Sequence, residues 1–178
     1  EFLADIDFIR AKALFAEQVK AIKPIVEDKR QMDWVRAVHP LLFLSLQKQG
    51  KQVVPLDIEL TEGKRILIIS GPNAGGKSVC LKTVGLLQYM LQCGLLIPLH
   101  ERSRTGIFEH IFIDIGDEQS IENDLSTYSS HLTNMKYFVK NCNERTIILI
   151  DEFGSGTEPQ IGGAIAEALL DRFNRNHS

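Results

Sequence analysis

From Phe2 to about Ile22 the apolar residues recur at helical spacing: Phe2, Ile6, Ile9, Ala13 and Val19, with Leu3, Leu14 and Phe15 widening the stripe. One helix is expected here, ending near Pro24, whose ring lacks the N–H that a helix ladder needs. Val53–Leu60 alternates enough to be a strand, Thr61–Lys64 reads as a turn, and Arg65-Ile-Leu-Ile-Ile-Ser70 is an apolar run suited to a buried strand. These two strands are expected to form an antiparallel hairpin. Lys77 to about Gln92 reads as a helix, Leu95–Pro98 as a short buried segment and Ile111–Ile115 as a strand. Tyr128, Leu132, Met135 and Val139 form a helical stripe that begins just after Ser126 and Thr127, whose hydroxyls suit a cap. Thr146–Ile150 is the most strand-like run in the chain, and Pro159 suits the first turn of a last helix with Ile161, Ile165, Ala168 and Leu169 on its buried side. Strands alternating with helices predict an α/β chain with a largely parallel sheet covered on both faces.

The 178 residues, 44 % of them hydrophobic, are enough for one domain with its own core and an N-terminal appendage. The first helix either packs on that core or belongs to a neighbouring domain, with Glu27–Arg30 as the linker. A net charge of -3 and no run of Lys and Arg give no electrostatic footprint for nucleic acid, so any DNA contact is expected mostly outside this chain. Cys80, Cys93 and Cys142 are odd in number and lack C-x-x-C spacing, which points to reduced thiols mostly packed in a core and a cytoplasmic location. No apolar stretch reaches the ~18 residues of a membrane span. The opening, Glu1-Phe2-Leu3, starts in mid-pattern, as expected of a piece of something longer.

Gly71-Pro-Asn-Ala-Gly-Gly-Lys-Ser78 fits G-x-x-x-x-G-K-[ST], and an apolar run precedes it as a helix pattern follows. Gly71 and Gly76 allow backbone that turns successive N–H groups around phosphate oxygens; Lys77 supplies a mobile positive charge and Ser78 a hydroxyl for Mg²⁺. Gly71, Pro72, Asn73, Ala74, Gly75, Gly76, Lys77, Ser78 and Val79 are therefore the expected contacts to ATP. Ile147–Ile150 runs into Asp151-Glu152, two carboxylates at the carboxyl end of a strand, where ligands of such sheets bind. Asp151 is expected in the Mg²⁺ shell. Glu152 is expected to orient or deprotonate the attacking water, with Lys77 stabilising charge. An adjacent Glu favours hydrolysis over phosphoryl transfer to another acceptor.

Between these halves, Gly116-Asp-Glu-Gln-Ser120 is either a solvated loop or a segment whose Gln119 touches metal or water. Ser126–His131 gathers hydroxyls at a helix start, serving either as a plain cap or as an anion site for a second subunit's γ-phosphate. Gly154–Pro159 either turns the chain or reports the site's state across an interface. His39-Pro40 signals a turn with a structural histidine, and Trp34 a packing anchor.

Taken in order, His39-Pro-Leu-Leu42, Gly71–Ser78, Gly116–Ser120, Ser126–His131 and Asp151-Glu-Phe-Gly-Ser-Gly-Thr-Glu-Pro159 resemble the ATPase domain of the MutS family, within the ABC-type ATPase group. The resemblance covers residues 37 to 173 and lies nearer the second bacterial branch, through Asp117-Glu118-Gln119, Ser129-Ser130-His131 and Glu158-Pro159. It implies an ABC-type P-loop ATPase over 37–178, a mostly parallel sheet with an antiparallel region, and the end of a helical core and lever region over 1–36. It further implies a homodimer with composite ATP sites, in which Ser126, Ser129 and Ser130 and the Gly154–Thr157 loop act in trans, and a DNA clamp outside this chain. The family's adenine-stacking aromatic falls near Val53, where only apolar contact is possible, and its γ-phosphate-sensing histidine is expected beyond Ser178. Two other classes follow from the residues: a non-hydrolysing nucleotide-dependent dimerisation module, and a transporter or chromosome-structure ATPase, whose Leu-Ser-Gly-Gly signature Asp124-Leu125-Ser126-Thr127 lacks.

Overall fold

The computed structural model describes residues 2–72, 75–116, 124–152, 154, 157–176 and 178, the side chains of 124–128 excepted. Eleven elements are described: α1 (Phe2–Gln18), β1 (Ile25–Val26), β2 (Met32–Ala37), α2 (Pro40–Lys48), β3 (Leu56–Leu60), α3 (Lys77–Gln92), β4 (Arg104–Thr105), β5 (His110–Asp114), α4 (Asp124–Asn141), β6 (Thr146–Ile150) and α5 (Pro159–Arg175). Glu1–Lys64 with Lys82–Ile107 form one compact unit, and Arg65–Leu81 with Phe108–Ser178 a second. No helix among the described residues is long and apolar enough to cross a membrane.

In the first unit a four-stranded sheet runs β1-β4-β2-β3, with β1 and β4 parallel and the other pairs antiparallel. The expected hairpin between Val53–Leu60 and Arg65–Ser70 does not form. Its first strand, β3, starts only at Leu56, after the exposed Val54, and pairs with β2, so that Trp34 faces Ile58 and Met32 faces Leu60. Asp33 and Arg36 interrupt the apolar pattern of β2, which hid this strand in the sequence. The register slips between Trp34 and Ala37, and Arg36 sits at the slip with φ +53, its N–H donating to Asp57 Oδ1 at 2.6 Å. Trp34 and Met32 are buried, as is Gln88 of α3, whose side chain is held by Thr105 Oγ1, the Gly106 carbonyl and Gln92.

The first helix stops at Gln18, earlier than expected. Lys20 adopts φ +55 and the chain closes with Lys20 N–H to Glu17 O and Ala21 N–H to Ala16 O, the paired bonds that end a helix on a left-handed residue. Its expected apolar stripe is also mostly open: Phe2, Leu3, Ile6, Ile9 and Leu14 are exposed, whereas Ala16 and Val19 at the far end are buried. A helical period identifies a face and leaves open what covers it.

His39 is a cap as well as a turn residue: its Nδ1 accepts the Leu42 N–H of α2 at 3.3 Å, which requires the ring neutral at that nitrogen. Burial, aided by the Lys82 ammonium, holds the imidazole below its ordinary value of 6.5. The unfolded chain therefore takes up this proton more readily, so the cap's stability is present above that value and is lost as pH falls below it. His39→Asn, a cap acceptor that does not titrate there, is expected to flatten the decline in Tm between about pH 7 and 5. An unchanged slope of Tm against pH would contradict the assignment.

In the second unit β5 and β6 are parallel and in register, from His110 opposite Thr146 to Asp114 opposite Ile150. Met135 and Phe138 of α4 and Phe173 of α5 are buried together, with Phe112, Ile148 and Leu169 packed against them, and Phe112 stacks on Phe138 at 4.9 Å. Pro159 opens α5 as expected, while α4 begins at Asp124, two residues before the expected cap. Arg65–Ser70, expected as a buried strand, is assigned to no strand, and Leu67 and Ile68 are 51 % and 72 % exposed. An apolar run records composition, but a parallel strand also needs a distant neighbour, which no local pattern specifies. In place of the expected largely parallel sheet, the described residues form a parallel pair in the second unit and a separate mixed sheet in the first. Nor are the cysteines all packed away: Cys93 is exposed and Cys80 and Cys142 half-buried, all three as free thiols.

Candidate functional site

The glycine-rich loop turns into α3 at its lysine. Gly76 adopts φ +83, a conformation that side-chain-bearing residues rarely hold, and its carbonyl accepts the Cys80 N–H that closes the first helical turn. Lys77 is the first residue of α3, and its Nζ folds back to the Gly71 carbonyl at 2.7 Å. The lysine charge therefore lies over the loop that precedes it. Gly75 N–H donates to Pro72 O at 2.9 Å, tightening the loop. Ser78 is half-buried in the first turn and Val79 is exposed, while Asn73 and Ala74 lie outside the described residues. A helix start directs its N–H groups and the positive end of its dipole toward what lies before it. Burial pushes the neighbouring Cys80 thiol up, which keeps it protonated and unreactive beside the loop.

The second half of the site lies at the carboxyl ends of β5 and β6. Asp151, 8 % exposed, donates its N–H to the Asp114 carbonyl at 2.9 Å, extending the pairing of the two strands by one residue. Glu152 follows with φ +51, left-handed backbone in a residue with a side chain, and its N–H donates to Asp151 Oδ1 at 3.1 Å. Beside them Asp114 is 6 % exposed and has both carboxylate oxygens occupied: Oδ2 is 2.6 Å from His131 Nδ1 and Oδ1 accepts Asn134 Nδ2 at 2.8 Å. Asp114, His131, Asp151, Glu152 and Gly154 border a cavity of ≈ 30 Å³, with room for one or two waters. Sequence reasoning did not single out Asp114 or Asn134. The available signals were a charged residue ending an apolar strand and a polar pair, His131 and Asn134, spaced i, i+3 on the next helix.

Gly154, two residues past Glu152, meets the first turn of α5 at Gly162. Gly154 holds φ +85, and a Cβ there would sit 2.8 Å from the Gly162 carbonyl of α5; a Cβ on Gly162 would collide with the Gly154 carbonyl. The backbones of loop and helix are in direct apposition.

Ser129 and Ser130 lie exposed in the first half of α4, where Ser129 O accepts the Thr133 hydroxyl. Gln119, Phe153, Ser155, Gly156 and the side chain of Ser126 lie outside the described residues. Val53 is in the first unit, where it borders a cavity of ≈ 520 Å³ with Phe43, Lys20, Arg36, Lys51 and His100. Lys20, Arg36 and Lys51 come from three distant stretches of chain, which is why the sequence showed no basic cluster. No group of three or more His, Cys, Asp or Glu side chains among the described residues is arranged to hold a metal. Ser78 and Asp151 suit instead the sparse protein ligation of Mg²⁺, which keeps several waters and is held largely by substrate phosphates.

The chain is thus a mixed α/β protein that carries a lysine-bearing glycine loop at a helix start and paired carboxylates at a strand end. The chain belongs to the MutS domain V family, whose model matches residues 67–178. It is similar to the endonuclease MutS2 of Shouchella clausii, 49 % identical over 169 residues, covering 95 % of this chain and 21 % of that protein. A MutS2 protein of Bacillus subtilis is 48 % identical over 178 residues, all of this chain and 22 % of that protein. The endonuclease MutS2 of Listeria monocytogenes is 48 % identical over 169 residues, 95 % of this chain and 21 % of its own length. The chain spans about a fifth of the length of the curated relatives it matches.

Proposed function

We propose that this chain is the ATP-binding and ATP-hydrolysing motor of a MutS-family DNA-processing protein, with an ABC-type P-loop domain over residues 37–178 and the end of a helical lever region over 1–36. The observation that carries it is Lys77, first residue of α3, with its ammonium drawn over its own glycine loop by the Gly71 carbonyl. An ammonium at a helix start, beside a turn of backbone N–H groups, is a receptor for the phosphates of a nucleotide. Gly71–Val79 is the loop contact in this reading and Val53 an apolar contact to the base. Ser78 and Asp151, with Gln119, would hold Mg²⁺, which neutralises phosphate charge when bound. Glu152 accepts the proton of the attacking water or orients it.

In this reading the ATP sites are composite in a homodimer, with Ser126, Ser129 and Ser130 reaching the partner's nucleotide, DNA is contacted through regions outside this chain, and the setting is cytoplasmic. Ser129 and Ser130 are exposed on α4 and available for that trans contact. Lys77→Ala in the protein at its full encoded length is expected to weaken binding of a fluorescent ATP analogue about 10- to 100-fold, as loss of a charge-assisted phosphate contact predicts. Affinity equal to that of the parent protein would refute the assignment. Binding of ATP without turnover, with or without branched DNA, would instead favour a non-hydrolysing dimerisation module.

A further inference from the structure

We infer that Asp114, His131 and Asn134 form a clamp that positions the Asp151-Glu152 carboxylates, and that His131 is a positioning residue for ATP turnover. The inference rests on the nucleotide-hydrolysing reading above and adds residues to that site.

The geometry is that of a buried carboxylate held by two donors from one helix, on a residue whose backbone carbonyl holds the tip of the next strand. Asp114 ends β5 and offers its carbonyl to the Asp151 N–H, so its backbone sets where the strand tip of β6 lies. Its carboxylate is 6 % exposed, and a charge so placed is stable only with hydrogen-bond donors around it. Both described donors, His131 Nδ1 and Asn134 Nδ2, come from α4, one turn apart on one face. The same helix carries Ser129 and Ser130 immediately before His131. A displacement of the start of α4 therefore pulls on Asp114, and through its backbone on Asp151 and on Glu152, whose N–H is tied to Asp151 Oδ1.

His131 is more than a donor to Asp114. The ring also borders the small cavity that Asp151 and Glu152 share, and a Cβ on Gly116 would lie 3.6 Å from its Nε2. The Nδ1 bond to a carboxylate fixes the ring's orientation, as when a carboxylate orients a histidine in a hydrolytic site. One imidazole thus spans the tip of β5, the cavity beside the carboxylates and the backbone at Gly116. The cavity the ring borders is walled by Leu132, Met135, Ile150, Ile165 and Leu169 as well as by Asp151 and Glu152, so the imidazole reaches the carboxylates from an otherwise apolar surround.

Loss of such an orienting contact costs about 10- to 100-fold in activity, because it loosens groups that must be placed within a fraction of an ångström. The experiment compares parent, His131→Ala, His131→Asn and Asn134→Ala at full encoded length by steady-state ATP turnover, ATP-analogue affinity and thermal melting. Expected are a kcat about 10- to 100-fold lower for His131→Ala, KM and analogue affinity within about threefold of the parent, and partial recovery in His131→Asn, whose amide can donate where Nδ1 does. Asn134→Ala is expected to fall between parent and His131→Ala. An unchanged kcat in His131→Ala would overturn the clamp, as would a loss of activity that tracks Tm and is equal in the Ala and Asn variants. A parent protein that binds the analogue and turns over no ATP would overturn the hydrolytic reading, and with it the clamp; an active parent matched by its variants overturns the clamp alone.

Discussion

Glu152→Gln is expected to lower ATP turnover at least about 100-fold while leaving ATP affinity within a few-fold of the parent, the loss typical of removing a general base. The amide keeps the size and hydrogen-bonding reach of the side chain but cannot take a proton near neutral pH. Two features make Glu152 the residue to test. Its left-handed backbone, φ +51, costs energy that a residue used only for packing could shed by substitution to Gly or Asn. Its N–H is bound to the side chain of Asp151, so the two neighbouring carboxylates are held in one fixed relation. Single-turnover hydrolysis with radiolabelled ATP separates the outcomes. A slow chemical step with normal binding supports the role; normal chemistry in the variant removes Glu152 from the mechanism and leaves positioning to other groups.

The second large effect concerns the first unit's core. Trp34→Ala is expected to destabilise the protein by about 3–5 kcal/mol, a cavity cost that lowers Tm by roughly 10 °C in a chain of this size. Trp34 is 1 % exposed, sits opposite Ile58 in the β2–β3 ladder, and is among the largest fully buried side chains. Its indole Nε1 has no hydrogen-bond partner among the described residues. A buried unsatisfied N–H costs about 1–3 kcal/mol, so Trp34→Phe should recover part of the loss by removing that donor along with some volume. Urea melts of parent, Phe and Ala variants check this order. A Phe variant as unstable as the Ala variant would mean that the N–H is satisfied in solution.

What could be read from the sequence was local and what could not was relational. The glycine loop, the helix that follows it, the strand running into Asp151-Glu152 and the proline at the start of α5 are encoded by neighbouring residues, and each lies where the pattern put it. Arg65–Ser70 shows the limit, because its apolar run carries no information about which strand would lie beside it. The β2 strand was hidden for the opposite reason: Asp33 and Arg36 break its pattern, and its place is set by pairing with β3 and by the slip at Arg36. Asp114 was invisible as a site residue because its significance arises only when α4 brings His131 and Asn134 to it. In the same way Lys20, Arg36, Lys51 and His100 are unremarkable singly and become a basic cavity wall only in the fold.

The apposition of Gly154 and Gly162 restricts what evolution can do at this edge of the molecule. A methyl group at either position meets the other's carbonyl, so neither glycine can be exchanged unless the loop and the helix separate. Each position is thus held to glycine on its own account, because the obstacle is the other's backbone, which no change of side chain removes. The backbone just past the paired carboxylates and the first turn of α5 are therefore held at one contact distance by two residues that have no side chain to spare.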